Sequence, residues 1–149
     1  MKRIALVLSV ALLTGCAGSQ LMTNEQAGEY YLDTVCPTNA LASAFNEVWT
    51  DPDAAFDAIV AAAASNADGN RVAIARLADK SVLWPESVAG DIPLILEGYV
   101  GETETLDEIE KAASLDEMGG MEFEPYPDST DAIAHVRDTL NLATCDARQ

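Results

Sequence analysis

The chain has 149 residues, 49% of them hydrophobic, with 25 acidic against eight basic residues and one histidine, for a formal net charge of −17. All 25 acids lie beyond residue 15, where only Arg71, Arg76, Lys80, Lys111, Arg137 and Arg148 oppose them; 25 against six leaves 19 net negative charges on that part. A surface of that sign repels nucleic-acid phosphates, which are held by Lys and Arg, so nucleic-acid binding is excluded. It also repels an anionic bilayer face, and any charged partner is expected to be cationic.

Lys2 and Arg3 open the chain, Ile4 to Leu13 is an uncharged and mostly apolar run, and the small residues Thr14 and Gly15 follow. Spanning a bilayer core takes roughly 20 apolar residues. This run is too short for that, and its pattern is that of a cleaved export signal. Leu13-Thr14-Gly15-Cys16 resembles the lipobox of bacterial lipoproteins. That resemblance implies acylation of Cys16, palmitate included, with Cys16 as the mature N-terminus. Two or more acyl chains hold a protein on a bilayer stably, since each buried methylene contributes about 0.8 kcal/mol. The alternative is ordinary cleavage near Ala17, which releases the protein. With Cys16 lipidated, Cys36 and Cys145 remain, and two cysteines outside the reducing cytosol most simply pair with each other. No Cys-x-x-Cys motif supports the alternative of a redox-active thiol pair.

Residues 1–15 are thus assigned to a lipoprotein signal peptide, 16–24 to the lipidated cysteine and a polar tether, and 25–149 to an acidic helical domain. Extended, the eight tether residues after Cys16 reach about 28 Å. Thr23 and Asn24 offer an N-cap with Glu25 in the first turn. Ala27, Tyr31, Val35, Leu41, Phe45 and Val48 then keep helical period across Pro37, so one kinked helix and two helices fit equally well. Asp51-Pro52 reads as a cap and first helical position, with Phe56, Ile59, Val60 and Ala63 on one face. "NADGN" at 66–70 reads as the end of that helix, and a shorter one follows from about Arg71 to Lys80. After Trp84-Pro85, helical phase runs through Val88, Ile92, Ile95, Tyr99, Leu106, Ile109 and Ala113. Pro93, Gly98 and Gly101 weaken it, which predicts a bent helix or two in series. "DEMGGMEFEPYPD" reads as a loop. Asp128-Ser129 offer caps for a last helix with the stripe Ile133, Val136 and Leu140. No stretch alternates like a half-buried strand. The fold class is all-α, a single bundle of about four to six helices behind the signal peptide.

Three motifs, Tyr31 to Pro37 ("YLDTVCP"), Trp84-Pro85, and Val136-Arg137 with Leu140, stand in order behind the lipobox. Together they resemble uncharacterised actinobacterial lipoproteins, some carried by phages. The family implies a helical exported domain and no activity, so no catalytic residue carries over.

The residues themselves point to no cofactor and no metal. His135 lies about 100° off the last helix's apolar stripe and reads as a solvated side chain. Aligning Gly69 with the sixth position of a calcium loop puts Ala64 and Ala75 where an acid and a bidentate Glu are required, so that reading fails. "GETETLDEIE" at 101–110 reads as a solvated acidic face. No Gly-x-Ser-x-Gly elbow or phosphate-cradling loop is present, and an enzyme is not expected. Met118, Met121, Phe123 and Tyr126 are either an exposed contact patch for a protein partner or side chains folded back over the bundle. The expected role is a binding module on the extracytoplasmic face of a bacterial cell membrane. It is held there through Cys16 and meets another envelope or phage protein. A second expectation is a phage- or prophage-encoded superinfection-exclusion lipoprotein that blocks DNA entry, and a third, ranked below both, an envelope enzyme or an accessory subunit of one.

Overall fold

The computed structural model describes residues 21–121 and 126–145. Among them are five helices and no strand: α1 (Asn24–Trp49), α2 (Phe56–Leu77), α3 (Asp91–Lys111), the single turn α4 (Leu115–Met118) and α5 (Pro127–Thr139). Cys16 lies outside the described residues.

Helix α1 starts on a capping box, in which Thr23 Oγ1 accepts from the Gln26 amide at 3.2 Å and Gln26 Oε1 accepts from the Thr23 amide at 3.0 Å. It runs through Pro37 as one helix. A proline supplies no N–H to the carbonyl four residues back, here that of Asp33. Arg76 of α2 takes over: its Nη1 donates to the Asp33 carbonyl at 3.1 Å. The same guanidinium lies 5.1 Å from the centre of the Tyr30 ring, and the Tyr30 hydroxyl donates to the Arg76 carbonyl at 2.8 Å. A neighbouring helix thus serves the carbonyl that the proline leaves over, and the choice between one helix and two resolves as one.

Helix α2 departs from the sequence reading at both ends. Asp51, Pro52 and Asp53 form a turn closed by Asp51 Oδ1 on the Asp53 amide at 2.9 Å, and the helix begins only at Phe56, after Ala55. "NADGN" does not end it. Asn66 and Asn70 are fully buried in mid-helix, and Gly69 faces α1, where an added Cβ would come 2.6 Å from Leu41 Cδ1. The separate third helix is absorbed into α2. Packing overrides local propensity here, because the two asparagines, four residues apart, share the inward face.

Leu21 pairs with Leu83 in an isolated parallel bridge, with the Met22 amide donating to the Leu83 carbonyl at 2.9 Å. Residues 21–24 therefore belong to the domain rather than to the tether expected over 16–24. Helix α3 is continuous, with Pro93 in its first turn and both glycines inside, and Ala112 rather than Ala113 is buried beyond its end. The stretch expected to be loop contains α4, capped by Ser114, whose Oγ accepts from the Glu117 amide at 3.3 Å. In α5 Pro127 takes the first turn, and the expected cap residue Ser129 is buried within the helix.

Helix α2 packs against α1 and α3, and α3 packs against α5. Two apolar clusters result. One joins Ala27, Tyr31 and Val35 to Leu77, Ile92, Ile95 and Val136; the other joins Phe45 to Ile59, Ala63, Leu106, Ile109 and Met118. Where one gives way to the other, the buried residues are polar: Thr34 and Thr38 on α1, Asn66 and Asn70 on α2, Thr103 on α3. Cys36 and Cys145 are bonded, with Cα atoms 5.3 Å apart, so α1 is joined beside its proline to the segment after α5. That separation is ordinary for a disulfide.

Candidate functional site

A cleft opens to the surface between α3 and α5. Close approach of these helices follows from two glycines on α3. An added Cβ on Gly98 would come 2.6 Å from Ser129 Cβ, and one on Gly101 would overlap the Tyr126 ring. The N-terminus of α5 therefore sits directly on the α3 backbone, and beside this contact lies a cleft of about 300 Å³. Asn39, Tyr99, Glu102, Tyr126 and Ser129 are among the residues that line it. A second, smaller recess of about 130 Å³ shares Gly98, Tyr126 and Ser129 with it and adds Glu97 and Asp128.

Among the described residues Glu102 is the one charged side chain that lines the main cleft. Behind it, fully buried Asn66 donates from Nδ2 to Glu102 Oε1 at 3.2 Å, which fixes the carboxylate from its inner side. Among the described residues Glu102 forms no ion pair; the pairs found are Arg71 with Asp68 and Asp107, and His135 with Asp91. Burial pushes the Tyr99 phenol well above the ordinary tyrosine range, with Tyr31 and Glu102 adding to the effect. Burial also pushes Tyr31 up to about 12, against a smaller opposing effect of Arg137. Both phenols stay protonated near neutrality; Tyr99 lines the cleft, while Tyr31 lies in the first apolar cluster. Asn39, on the rim, donates from Nδ2 to Cys145 Sγ at 3.6 Å, so the disulfide and the cleft share a residue.

The residues singled out from sequence are dispersed. Met118 is 2% exposed and Met121 is half-buried, both in the second cluster, and Tyr126 is half-buried against Gly101. These three side chains fold onto the bundle instead of forming an exposed patch; Phe123 lies outside the described residues. His135 is exposed, its side chain 58% accessible, but its Nδ1 lies 2.8 Å from Asp91 Oδ2. The acidic run 101–110 is not uniformly solvated either: Glu104 and Glu108 face outward, Asp107 pairs with Arg71, and Glu102 turns to the cleft. The cleft was missed because its residues come from three helices. The legible part of its signal is the spacing of Gly98, Tyr99 and Glu102, which puts the carboxylate one turn beyond the other two.

Among the described residues no group of three or more His, Cys, Asp or Glu converges as a metal site, and no helix is long and apolar enough to cross a membrane. Helices and cleft together define a disulfide-linked α-bundle with an interhelical cleft. No family model, curated protein or solved structure compared with the chain matches it.

Proposed function

We propose that the protein is a lipid-anchored, extracytoplasmic binding module, held at the membrane through Cys16 and presenting the α3–α5 cleft to a cationic partner. The observation that carries this reading is the Cys36–Cys145 bond, since structural disulfides persist in oxidising compartments and are rare in the cytosol. The signal-like start and the lipobox before Cys16 agree with it. So does the excess of 19 negative charges beyond residue 15, 25 acids against six bases, which favours cationic partners and keeps the domain off an anionic bilayer face. With Leu21 and Met22 fastened to Leu83, only Ala17 to Gln20 would separate the lipidated residue from the domain. Four extended residues reach about 14 Å. Metabolic labelling with palmitate tests the anchor: label is expected on the wild-type chain and absent from Cys16→Ala, and label that persists in the variant refutes it.

A further inference from the structure

The chemistry of the cleft narrows the partner. An anionic ligand would meet Glu102 in the main cleft, or Glu97 and Asp128 in the smaller recess, and no Lys or Arg among the described residues lines either. A hard divalent cation takes six or more oxygen ligands around one point. These carboxylates do not converge on such a point, since no metal-holding group exists among the described residues. Glu97 and Glu102 are five residues apart on α3, about 140° around the helix, so they flank the Gly98–Ser129 contact and line different recesses. The main cleft therefore offers a single negative charge, with the rings of Tyr99 and Tyr126 among its lining residues. Aromatic faces attract cations, and attraction grows as the cation sheds water.

Glu102 is built to serve as a counter-ion. One of its oxygens is held by Asn66, a residue with no exposure whose own Oδ1 has no hydrogen-bond partner. Burying an amide that is only half satisfied costs about 1–3 kcal/mol. A chain selected for stability alone would put an apolar residue there. Asn66 thus spends stability on orienting one carboxylate toward the cleft.

We propose that the α3–α5 cleft binds a small aliphatic amine, with its ammonium on Glu102 and the alkyl chain along Tyr99 and Tyr126. This deepens the binding role proposed above and rests on it. Cadaverine, titrated calorimetrically into the full chain in nonionic detergent, is the probe. Salt at about 0.15 M screens charges beyond roughly 8 Å and so suppresses diffuse attraction to the acidic surface. Saturable binding at one site is expected. Glu102→Gln, which keeps the side-chain shape, is expected to weaken it about tenfold or more, the loss of one charge-assisted hydrogen bond. Glu104→Gln, two residues on and on the exposed face of α3, is expected to leave it unchanged. Pentanediol, of the same chain length without charge, is expected not to bind, a readout that needs no variant. No saturable heat with cadaverine, equal weakening in both variants, or binding of the diol would each overturn the assignment. None of these results depends on whether Cys16 carries lipid, so the anchor stands or falls separately in the palmitate experiment.

Discussion

The bond between Arg76 and the Asp33 carbonyl makes a quantitative prediction, because it falls where Pro37 has removed the helix's own donor. Replacing Arg76 by Ala deletes that bond and the contact with the Tyr30 ring. A partly exposed hydrogen bond contributes about 1 kcal/mol and an exposed cation–π contact about 0.5–1 kcal/mol. Arg76→Ala should therefore destabilise the protein by roughly 1.5–2 kcal/mol. In a Pro37→Ala background residue 37 regains its N–H and serves Asp33 within the helix. There the same substitution should lose only the ring contact, about 0.5–1 kcal/mol. The double-mutant cycle is thus expected to give a coupling of about 1 kcal/mol, outside the 0.3–0.5 kcal/mol scatter of independent sites. Urea unfolding of the four chains followed by circular dichroism at constant m-value measures it. Additive behaviour would refute the idea that Arg76 compensates for the proline.

Asn70 is fully buried with neither Nδ2 nor Oδ1 hydrogen-bonded, so Asn70→Leu should stabilise by about 2–4 kcal/mol. A lower urea midpoint for that variant would contradict it. Replacing Cys36 and Cys145 together by Ser should cost up to about 4.7 kcal/mol, the chain-entropy value for a loop near this length, read from the thermal midpoint. Gly101→Ala forces the Tyr126 ring to move and should cost about 1–3 kcal/mol; much of that should vanish in a Tyr126→Ala background. The Tyr31 phenol is pushed up to about 12 in the folded chain, against about 10 when unfolded. Below pH 10 both states keep the proton and stability is unaffected. As pH rises from 10 to 12 the unfolded chain loses it first, and about 2–3 kcal/mol of stability should be lost over that window. Tyr31→Phe should flatten this part of the urea-midpoint profile between pH 9 and pH 12.

What could be read from the chain follows from which forces are local. Apolar residues at helical spacing set α1, α3 and α5, and periodicity across Pro37 and across Gly98 and Gly101 survived because tertiary packing repaired each weak point. Asparagine and glycine mislead where they are buried. Asn66, Gly69 and Asn70 read as a terminator, since their propensities favour turns, but in the fold they face neighbouring helices and the helix passes through them. The Asp51-Pro52 start failed for a related reason: the Asp51 side chain closes a turn instead of capping a helix. The cleft was illegible because no segment contains it. Glu102 differs from Glu104 only in which neighbours the packing of α2 and α5 brings to it.

The sulfur bridge between positions 36 and 145 has a further consequence for damage to the chain. It closes 109 residues of sequence separation into a covalent ring that takes in all of α2 to α5. A protease that nicks this ring once, for example at the exposed glycines 119 and 120, opens the circle but releases no fragment. Both halves stay on one molecule, and only a second cut or a reductant sets a piece free.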